Sequence, residues 1–265
     1  MALAIAATGN ATGGMVFPAM VETLLPKIGF PWTMRALGFL MLGITAVNVA
    51  LMKPRLPPRK TGPILELSAF RETSYSLFSV GMFLIFWAQY FGYFYIGSFG
   101  RDIVHLNQAD SINLILIMNG VGFFGRLLPG YVSDKLCGPF NYVIPSAVVT
   151  ATVLYTWAAV KSQGAMLAWA VLYGWFTAGM QGLFPTMVAS LTKDLQKAGV
   201  RMGMIFSVTS LAVLTGPPLA GALIERQNGH YLDAQMWAGT VILCGGLVLC
   251  SARVSLTGFK LLVKM

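Results

Sequence analysis

Charged residues are scarce in this chain. They make up 10% of its 265 residues, whereas soluble domains carry about a quarter. Acidic side chains number nine and histidines two, and neither His105 nor His230 lies beside a plausible nucleophile. No phosphate-binding loop, zinc-ligand spacing or carboxylate pair appears in the sequence. We therefore expect no enzymatic activity, no metal site and no cofactor.

Cysteine is also rare. Cys137, Cys244 and Cys250 give no disulfide framework, because two of them lie in one apolar segment, and no Cys/His cluster has metal-ligand spacing. Asn10 opens an Asn-Ala-Thr glycosylation pattern. That pattern falls within an apolar segment, so we assign no role to it.

Long apolar segments dominate the sequence. Hydrophobic side chains make up 56% of the chain, and segments of about 20 mostly apolar residues match the hydrocarbon thickness of a bilayer. Eight such segments are found, at 2–25, 33–52, 75–98, 110–132, 142–160, 165–190, 202–224 and 236–252. The sequence therefore predicts an all-α, multi-pass integral membrane protein with eight transmembrane helices in the lipid bilayer.

The net charge of +9 would suit a nucleic-acid partner, but its distribution favours a membrane. If the loop after Met52 is cytoplasmic, the inner loops hold more than twice as many Lys and Arg residues as the outer loops. Such a bias sets the orientation of membrane proteins. We expect cytoplasmic termini, no nucleic-acid partner, and a place in the plasma membrane, with a vacuolar or other organelle membrane as the alternative.

Residues 1–38 and 202–242 resemble each other as two copies of one unit. Aligning Thr12-Gly13 with Thr215-Gly216 sets Glu22 on Glu225, at an offset of 203 residues. Parallel repeats are typical of transporters built from two six-helix halves. Since only two spans occur in the first half and six in the second, the repeat predicts that four spans are lacking at the front.

The predicted organisation has three parts. Residues 1–52 form the last two spans of an N-terminal half, 53–74 a cytoplasmic linker, and 75–265 a six-span C-terminal half. The linker carries Pro57-Pro58 and clustered cations, which cannot continue a membrane helix. An ordinary inner loop is the alternative, but the repeat independently places the boundary between halves here.

The most specific motif is GYVSDKL, residues 130–136, at the inner end of the fourth span. Gly130 permits close approach of two helices. Asp134, followed by Lys135, can lie near a helix N-terminus or pair with a cation. We predict that these three residues fasten an inner gate.

A second predicted gating element is a Gly-Pro-Pro-x-x-Gly pattern in the seventh span, formed by Gly216, Pro217, Pro218 and Gly221. Proline interrupts helical hydrogen bonding, and a membrane tolerates this only where neighbouring groups satisfy the freed carbonyls. We interpret the pattern as a bend that lets one helix rock. A static kink is the alternative.

Arg126 is the one charge placed well inside a predicted span. It shares a helical face with Asn119 and Gly130, since offsets of seven and eleven residues return to nearly the same angle. A central arginine costs about 2.5–3.5 kcal/mol on insertion scales. Arg126 is either a packing anchor or, as we favour, a cation that faces an aqueous cavity and binds an anionic substrate.

Three further polar residues are candidates for lining such a cavity. Gln89 and Tyr93 share a face in an aromatic run of the third span, where packing is the alternative role. Gln181 lies on a stripe with Gly174, Ala178 and Pro185 in the sixth span. Small residues on such a stripe also suit close helix packing.

The motif at Gly130 resembles the inter-span signature G-x-x-x-D-[RK] of the major facilitator superfamily. The longer pattern N-G-x-x-x-x-G-R-x-x-x-G-x-x-x-D, from Asn119 to Asp134, resembles the monocarboxylate transporter family, particularly its fungal branch. This resemblance implies spans five to twelve of a twelve-span bundle, a small-molecule substrate, and an anion contact at Arg126. The family's aspartate four residues earlier is Gly122 here, so the resemblance leaves proton coupling open.

These observations predict a transporter that moves small, carboxylate-bearing solutes or secondary metabolites by alternating access. One alternative is a transport-incompetent membrane fragment or subunit that needs another chain. A second is an eight-span receptor or membrane enzyme. This second alternative would require a ligand domain or an intramembrane cluster of ionisable residues, and neither is visible.

Overall fold

The computed structural model describes residues 2–53, 65–192 and 194–258, and these residues form a bundle of seven α-helices. The helices are α1 (Ala2–Leu51), α2 (Thr73–Asp102), α3 (Gln108–Val132), α4 (Pro139–Trp157), α5 (Gln163–Ser190), α6 (Leu195–Arg226) and α7 (Leu232–Thr257). A 3₁₀ turn (Leu67–Arg71) precedes α2, and a π-helical turn (Ser133–Cys137) follows α3. The all-α prediction is confirmed.

The helix α1 covers two of the predicted spans without a connecting loop. Its single departure from helical geometry is at Gly29, where φ is 73° and ψ is 169°. A residue without a Cβ adopts this left-handed φ without strain, and Pro26 and Pro31 flank it. Thr33 Oγ1 donates to the Gly29 carbonyl oxygen over 2.8 Å. The predicted break between residues 25 and 33 is thus present, as a one-residue interruption.

The predicted number of eight spans is not confirmed. Five helices in the described part of the chain are long and apolar enough to cross a membrane: α1, α2, α3 with its π-helical turn, α6 and α7. The helices α4 and α5 carry Pro, Tyr, Thr, Trp, Gln and Gly residues that dilute their hydropathy. In the bundle, α4 packs on α5 and α7, and α5 packs on α3 and α4.

Glycines allow α3 and α5 to approach closely. A methyl group at Gly125 would come within 2.8 Å of the Trp175 carbonyl oxygen, and one at Gly174 within 2.7 Å of the Met118 carbonyl oxygen. Close backbone approach through small residues is the usual way in which membrane helices associate. This contact fixes the relative position of Arg126 on α3 and Gln181 on α5.

Contacts between distant loops agree with the predicted sidedness. Asp102 and Tyr231, both predicted to be outside, form a hydrogen bond of 2.8 Å from Tyr231 Oη. Glu66 and Arg201, both predicted to be inside, also contact each other. Residues 54–64 of the predicted linker lie outside the described residues. The three-part division at residues 52 and 74 stays a prediction.

Candidate functional site

A polar cavity of about 390 Å³ opens between α1, α2, α3 and α5. Its lining is Asn10, Tyr90, Tyr93, Phe94, Asn119, Arg126 and Gln181. Four of the five residues predicted to contact substrate therefore line one cavity, although they come from three different helices, α2, α3 and α5. Its volume lies within the range of known small-molecule sites.

Arg126 is 3% exposed and lies at the wall that α3 contributes to the cavity. Its Nη1 donates to the Gly122 carbonyl oxygen over 3.0 Å, and its Nη2 donates to Gln181 Oε1 over 2.6 Å. Its Nε is buried and has no hydrogen-bond partner. A guanidinium carries five N–H donors, so these two bonds leave donor capacity unused.

Neutral groups take the place that a carboxylate would occupy beside Arg126. Where the family resemblance places an aspartate, this chain has Gly122, and the carbonyl oxygen of Gly122 accepts the Nη1 bond instead. Gln181 supplies the second acceptor. Because arginine is purely a donor, Gln181 must turn its oxygen towards it, which directs the amide N–H groups of Gln181 elsewhere. Among the described residues, the lining consequently carries the positive charge of Arg126 and no acidic side chain.

Asn119 and Asn10 bring amide groups from α3 and α1 to the same cavity. Asn119 Nδ2 donates to the Ile115 carbonyl oxygen over 2.9 Å. Gly14 on α1 approaches Asn119 so closely that a methyl group there would overlap its amide. Asn10 was missed by sequence reasoning, which treated it as part of a glycosylation pattern. The signal that could have found it is its one-turn spacing from Gly13 and Gly14 along α1.

Three aromatic residues of α2, which we call the aromatic wall, form part of the lining. Tyr90, Tyr93 and Phe94 follow an i, i+3, i+4 spacing, which places them on one helical face. The hydroxyl groups of Tyr93 and Thr177 lie 3.0 Å apart and share a hydrogen bond. Sequence reasoning selected Tyr93 from this run, and the structure adds Tyr90 and Phe94.

Gln89 is fully buried and is not among the residues that line the cavity. Its Nε2 donates to the Thr177 carbonyl oxygen over 3.1 Å, and Tyr173 Oη donates to the Gln89 carbonyl oxygen. Gln89 therefore connects α2 to α5 behind the aromatic wall. A direct substrate contact by Gln89 stays a prediction that this position does not favour.

The first set of predicted gating residues lies at the end of α3. Gly130 is buried, whereas Asp134 and Lys135 are exposed in the π-helical turn. Gly138 ends this turn with φ of 79° and leads directly into α4. Their gating role stays a prediction.

The second set of predicted gating residues, the Gly-Pro-Pro-x-x-Gly pattern on α6, packs against α2. A methyl group at Gly216 would overlap the Trp87 carbonyl oxygen, and one at Gly221 would come within 2.5 Å of Tyr95 Oη. Tyr95 Oη also donates to the Pro217 carbonyl oxygen over 3.0 Å. Pro217 and Pro218 lie within α6, which continues from Leu195 to Arg226. The Gly-Pro-Pro-x-x-Gly pattern therefore lies at a close contact of α6 with α2, and its rocking role stays a prediction.

An ion-pair cluster at the end of the bundle that is predicted to be cytoplasmic was not foreseen. We call it the inner clamp: Glu66, Glu72, Lys197 and Arg201. Arg201 Nε contacts Glu66 Oε2 over 3.1 Å, Arg201 Nη1 contacts Glu72 Oε2 over 3.0 Å, and Lys197 Nζ contacts Glu66 Oε1 over 3.0 Å. The hydrogen bond from Arg201, and then that from Lys197, lowers the pKa of the Glu66 carboxyl. The clamp joins the segment before α2 to the first turns of α6.

The chain is similar in sequence to a known protein family and to several fungal proteins. The family model described as Major Facilitator Superfamily matches residues 130–259. An MFS-type transporter of Gibberella zeae is 40% identical over 257 residues, covering 96% of this chain and 58% of that protein. The Aspyridones efflux protein apdF of Emericella nidulans is 32% identical over 254 residues, covering 95% of this chain and 51% of that protein.

A third relative, MFS-type transporter 1 of Ophiocordyceps sp., is 32% identical over 273 residues, covering 100% of this chain and 59% of that protein. The chain thus spans between about half and three fifths of the length of these relatives. They are named as transporters, which agrees with the expectation that the protein is not an enzyme. The chain is therefore similar to MFS-type transporters of fungi, and its residues 130–259 match the family model of the Major Facilitator Superfamily.

Proposed function

We propose that the chain forms the major part of a transporter that moves small, carboxylate-bearing solutes or secondary metabolites by alternating access. Arg126 is the proposed contact for the anionic group, with Gln181, Asn119 and Tyr93 around it. The observation that supports this most strongly is electrostatic. A buried guanidinium with unused donors lines the cavity, and no described residue of that lining is acidic.

An anionic substrate would supply the charge that the cavity lacks. Burial removes the guanidinium from water, which is unfavourable unless an anion compensates for it. A carboxylate matches the planar donor pattern of arginine with two parallel hydrogen bonds. A neutral substrate gains less from the same residues, so the site favours anions over their neutral analogues.

The relatives support a secondary-metabolite substrate. One of them is named as an efflux protein for aspyridones, and we extend the substrate class, though not the compound, to this chain. The fungal monocarboxylate-transporter resemblance of the α3 pattern agrees with an acidic substrate. We further propose that α1 belongs to one half of a twelve-span bundle and α2–α7 to the other, with Gly130 and Asp134 at the inner gate.

Uptake by the Arg126→Lys variant tests this proposal. We expect loss of most uptake of radiolabelled benzoate and butyrate, because lysine keeps the charge but lacks the two-pronged contact. Arg101→Lys, at an exposed cation beyond the cavity, is the matched control and should transport normally. Membrane abundance of both variants is measured in parallel. Normal transport by Arg126→Lys would exclude Arg126 as the anion contact.

The same assay decides between transport and the subunit alternative. Accumulation of benzoate by the purified chain in proteoliposomes would show that the chain transports on its own. If the folded chain accumulates none and a second chain restores uptake, the transport-incompetent alternative takes the place of this proposal.

A further inference from the structure

We infer that the substrate carries an aromatic or conjugated ring next to its acidic group. This inference rests on the proposed function, which concerns the charge, and adds a second requirement on the substrate's shape. It follows from the aromatic wall, through which α2 contributes Tyr90, Tyr93 and Phe94 to the same lining as Arg126.

The aromatic wall is held in place from behind. The ring centroid of Tyr90 lies 6.2 Å from that of Phe86, and the centroid of Tyr93 lies 6.0 Å from that of Tyr173. Tyr90 and Tyr93 are 6.1 Å apart and tilted by 44° to each other. Ring pairs at these separations attract each other beyond simple area burial. Tyr90 and Tyr93 are therefore preorganised, and a ligand ring does not have to order them.

The hydroxyl of Tyr93 is already engaged within the protein. Thr177 Oγ1 donates to the Tyr173 carbonyl oxygen, so Tyr93 Oη supplies the proton of the bond that it shares with Thr177. Since a phenol has one proton, Tyr93 has no donor left for an acidic group, and its ring is what it offers to a ligand. Phe94 has no polar atom at all and is 64% exposed. This side of the cavity consequently selects for apolar, polarisable surface, while the Arg126 side selects for charge.

The two sides together define a substrate class. A short aliphatic acid would satisfy Arg126 and leave the aromatic wall uncovered. A neutral arene would cover the wall and leave the guanidinium without its counter-charge. A ring that bears a carboxylate satisfies both, and the cavity volume of about 390 Å³ lies in the range for ligands of that size.

Binding of three matched probes to the full chain in nanodiscs tests the inference by calorimetry. The probes are 2-naphthoate, its saturated counterpart decahydro-2-naphthoate, and the neutral 2-naphthylmethanol. We expect 2-naphthoate to bind roughly two- to tenfold tighter than the saturated acid, which is the range of a single aromatic contact. In Phe94→Leu and Tyr90→Leu this preference should fall at least twofold, with little change for the saturated acid.

Control variants separate ring contacts from damage to the fold. Phe94→Tyr keeps the ring and should keep the preference. Phe124→Leu removes a ring that is 58% exposed on α3 and lies away from the cavity lining, so it should behave as the unchanged protein. Because Phe94 is largely exposed, its replacement by leucine should fold normally.

The outcomes distinguish this inference from the proposed function. Equal affinities for the two acids, or a preference that persists in both leucine variants, would overturn the ring requirement and leave the anion site intact. If 2-naphthylmethanol binds as tightly as 2-naphthoate, the anion site itself is wrong. Binding of neither acid would overturn both.

Discussion

Arg126 and Arg201 are both almost fully buried, at 3% and 7% exposure, yet their surroundings are opposite. Arg201 contacts two carboxylates, Glu66 and Glu72, within the inner clamp. Arg126 contacts a carbonyl oxygen and an amide oxygen, and its Nε has no partner. Arg201 is therefore neutralised inside the protein, whereas Arg126 is stabilised by dipoles alone.

This difference separates a structural cation from a ligand-binding one. Removing one partner of a buried ion pair leaves an uncompensated charge behind, which is strongly destabilising. Removing a buried cation that has no anionic partner leaves no such charge, and it also relieves the desolvation of the guanidinium. Stability measurements should therefore respond to Arg201, and binding measurements to Arg126.

Arg201→Gln should have the largest effect on stability. It leaves the buried Glu66 and the neighbouring Glu72 without their main counter-charge, and we expect a loss of about 3 kcal/mol, the lower end of the range for broken buried pairs, because Glu72 is half exposed. Thermal unfolding in detergent measures this loss. Lys197→Gln, at a cation that is 46% exposed, is the control and should lose about 1 kcal/mol or less. Equal losses for the two variants would contradict the central role of Arg201.

Glu66→Gln should have the next largest effect and should depend on pH. The folded-state pKa of Glu66 is lowered from its ordinary value of 4.5 by Arg201 and Lys197. Its contribution to stability is therefore fully present above that ordinary value and disappears as the pH falls through the lowered pKa.

Unfolding temperatures between pH 7.5 and pH 3.5 test this dependence. The difference between the unchanged protein and Glu66→Gln should be constant down to about pH 5.5 and shrink towards zero at the acid end, as linkage requires. Glu225→Gln, at an exposed glutamate at the other end of α6, should show no such loss of difference. A difference that grows as the pH falls would have the wrong sign for a lowered pKa.

Arg126→Gln should leave stability within about 1 kcal/mol of the unchanged protein, as expected for a polar replacement that breaks no ion pair. Glutamine can still donate a hydrogen bond in the space that the guanidinium occupies. The same variant should lose at least tenfold in affinity for 2-naphthoate, since the charge that attracts the carboxylate is gone. A large drop in unfolding temperature with unchanged 2-naphthoate affinity would make Arg126 a structural residue like Arg201.

Sequence patterns identified Arg126 but missed Arg201 and the inner clamp, for a physical reason. A charge within an apolar span is rare, so Arg126 was recognisable, and helical periodicity then selected Asn119. The inner clamp depends on Glu66 and Arg201, which are 135 residues apart in the chain. Loop charges near span ends are common, and nothing local distinguishes a paired one from a solvated one.

For the helices too, some features were predictable from the sequence and others were not. Hydropathy found every helix of the described chain, because apolar length is a direct consequence of the bilayer. It could not show that Gly29 alone interrupts α1, since Pro26 and Pro31 at its sides also predict a loop. It also could not place Asn10 or Phe94 in the cavity, because that depends on the packing of α1 and α2 against α3.

The smallest predicted effect concerns the contact of α1 with the cavity, and it tests whether Asn119 contacts the substrate beside Arg126. Gly14→Ala should displace the Asn119 amide, which a methyl group at position 14 would overlap. The gain in helix propensity from glycine to alanine, about 1 kcal/mol, should offset most of the resulting strain, so the unfolding temperature should hardly change. The affinity for 2-naphthoate should fall about two- to threefold, because one weak polar contact of the lining is lost.

Gly13→Ala is the matched control, since its methyl group would meet only the edge of the Phe17 ring at 3.3 Å. If Gly13→Ala lowers the affinity as much as Gly14→Ala does, α1 acts through general packing and Asn119 makes no contact with the substrate.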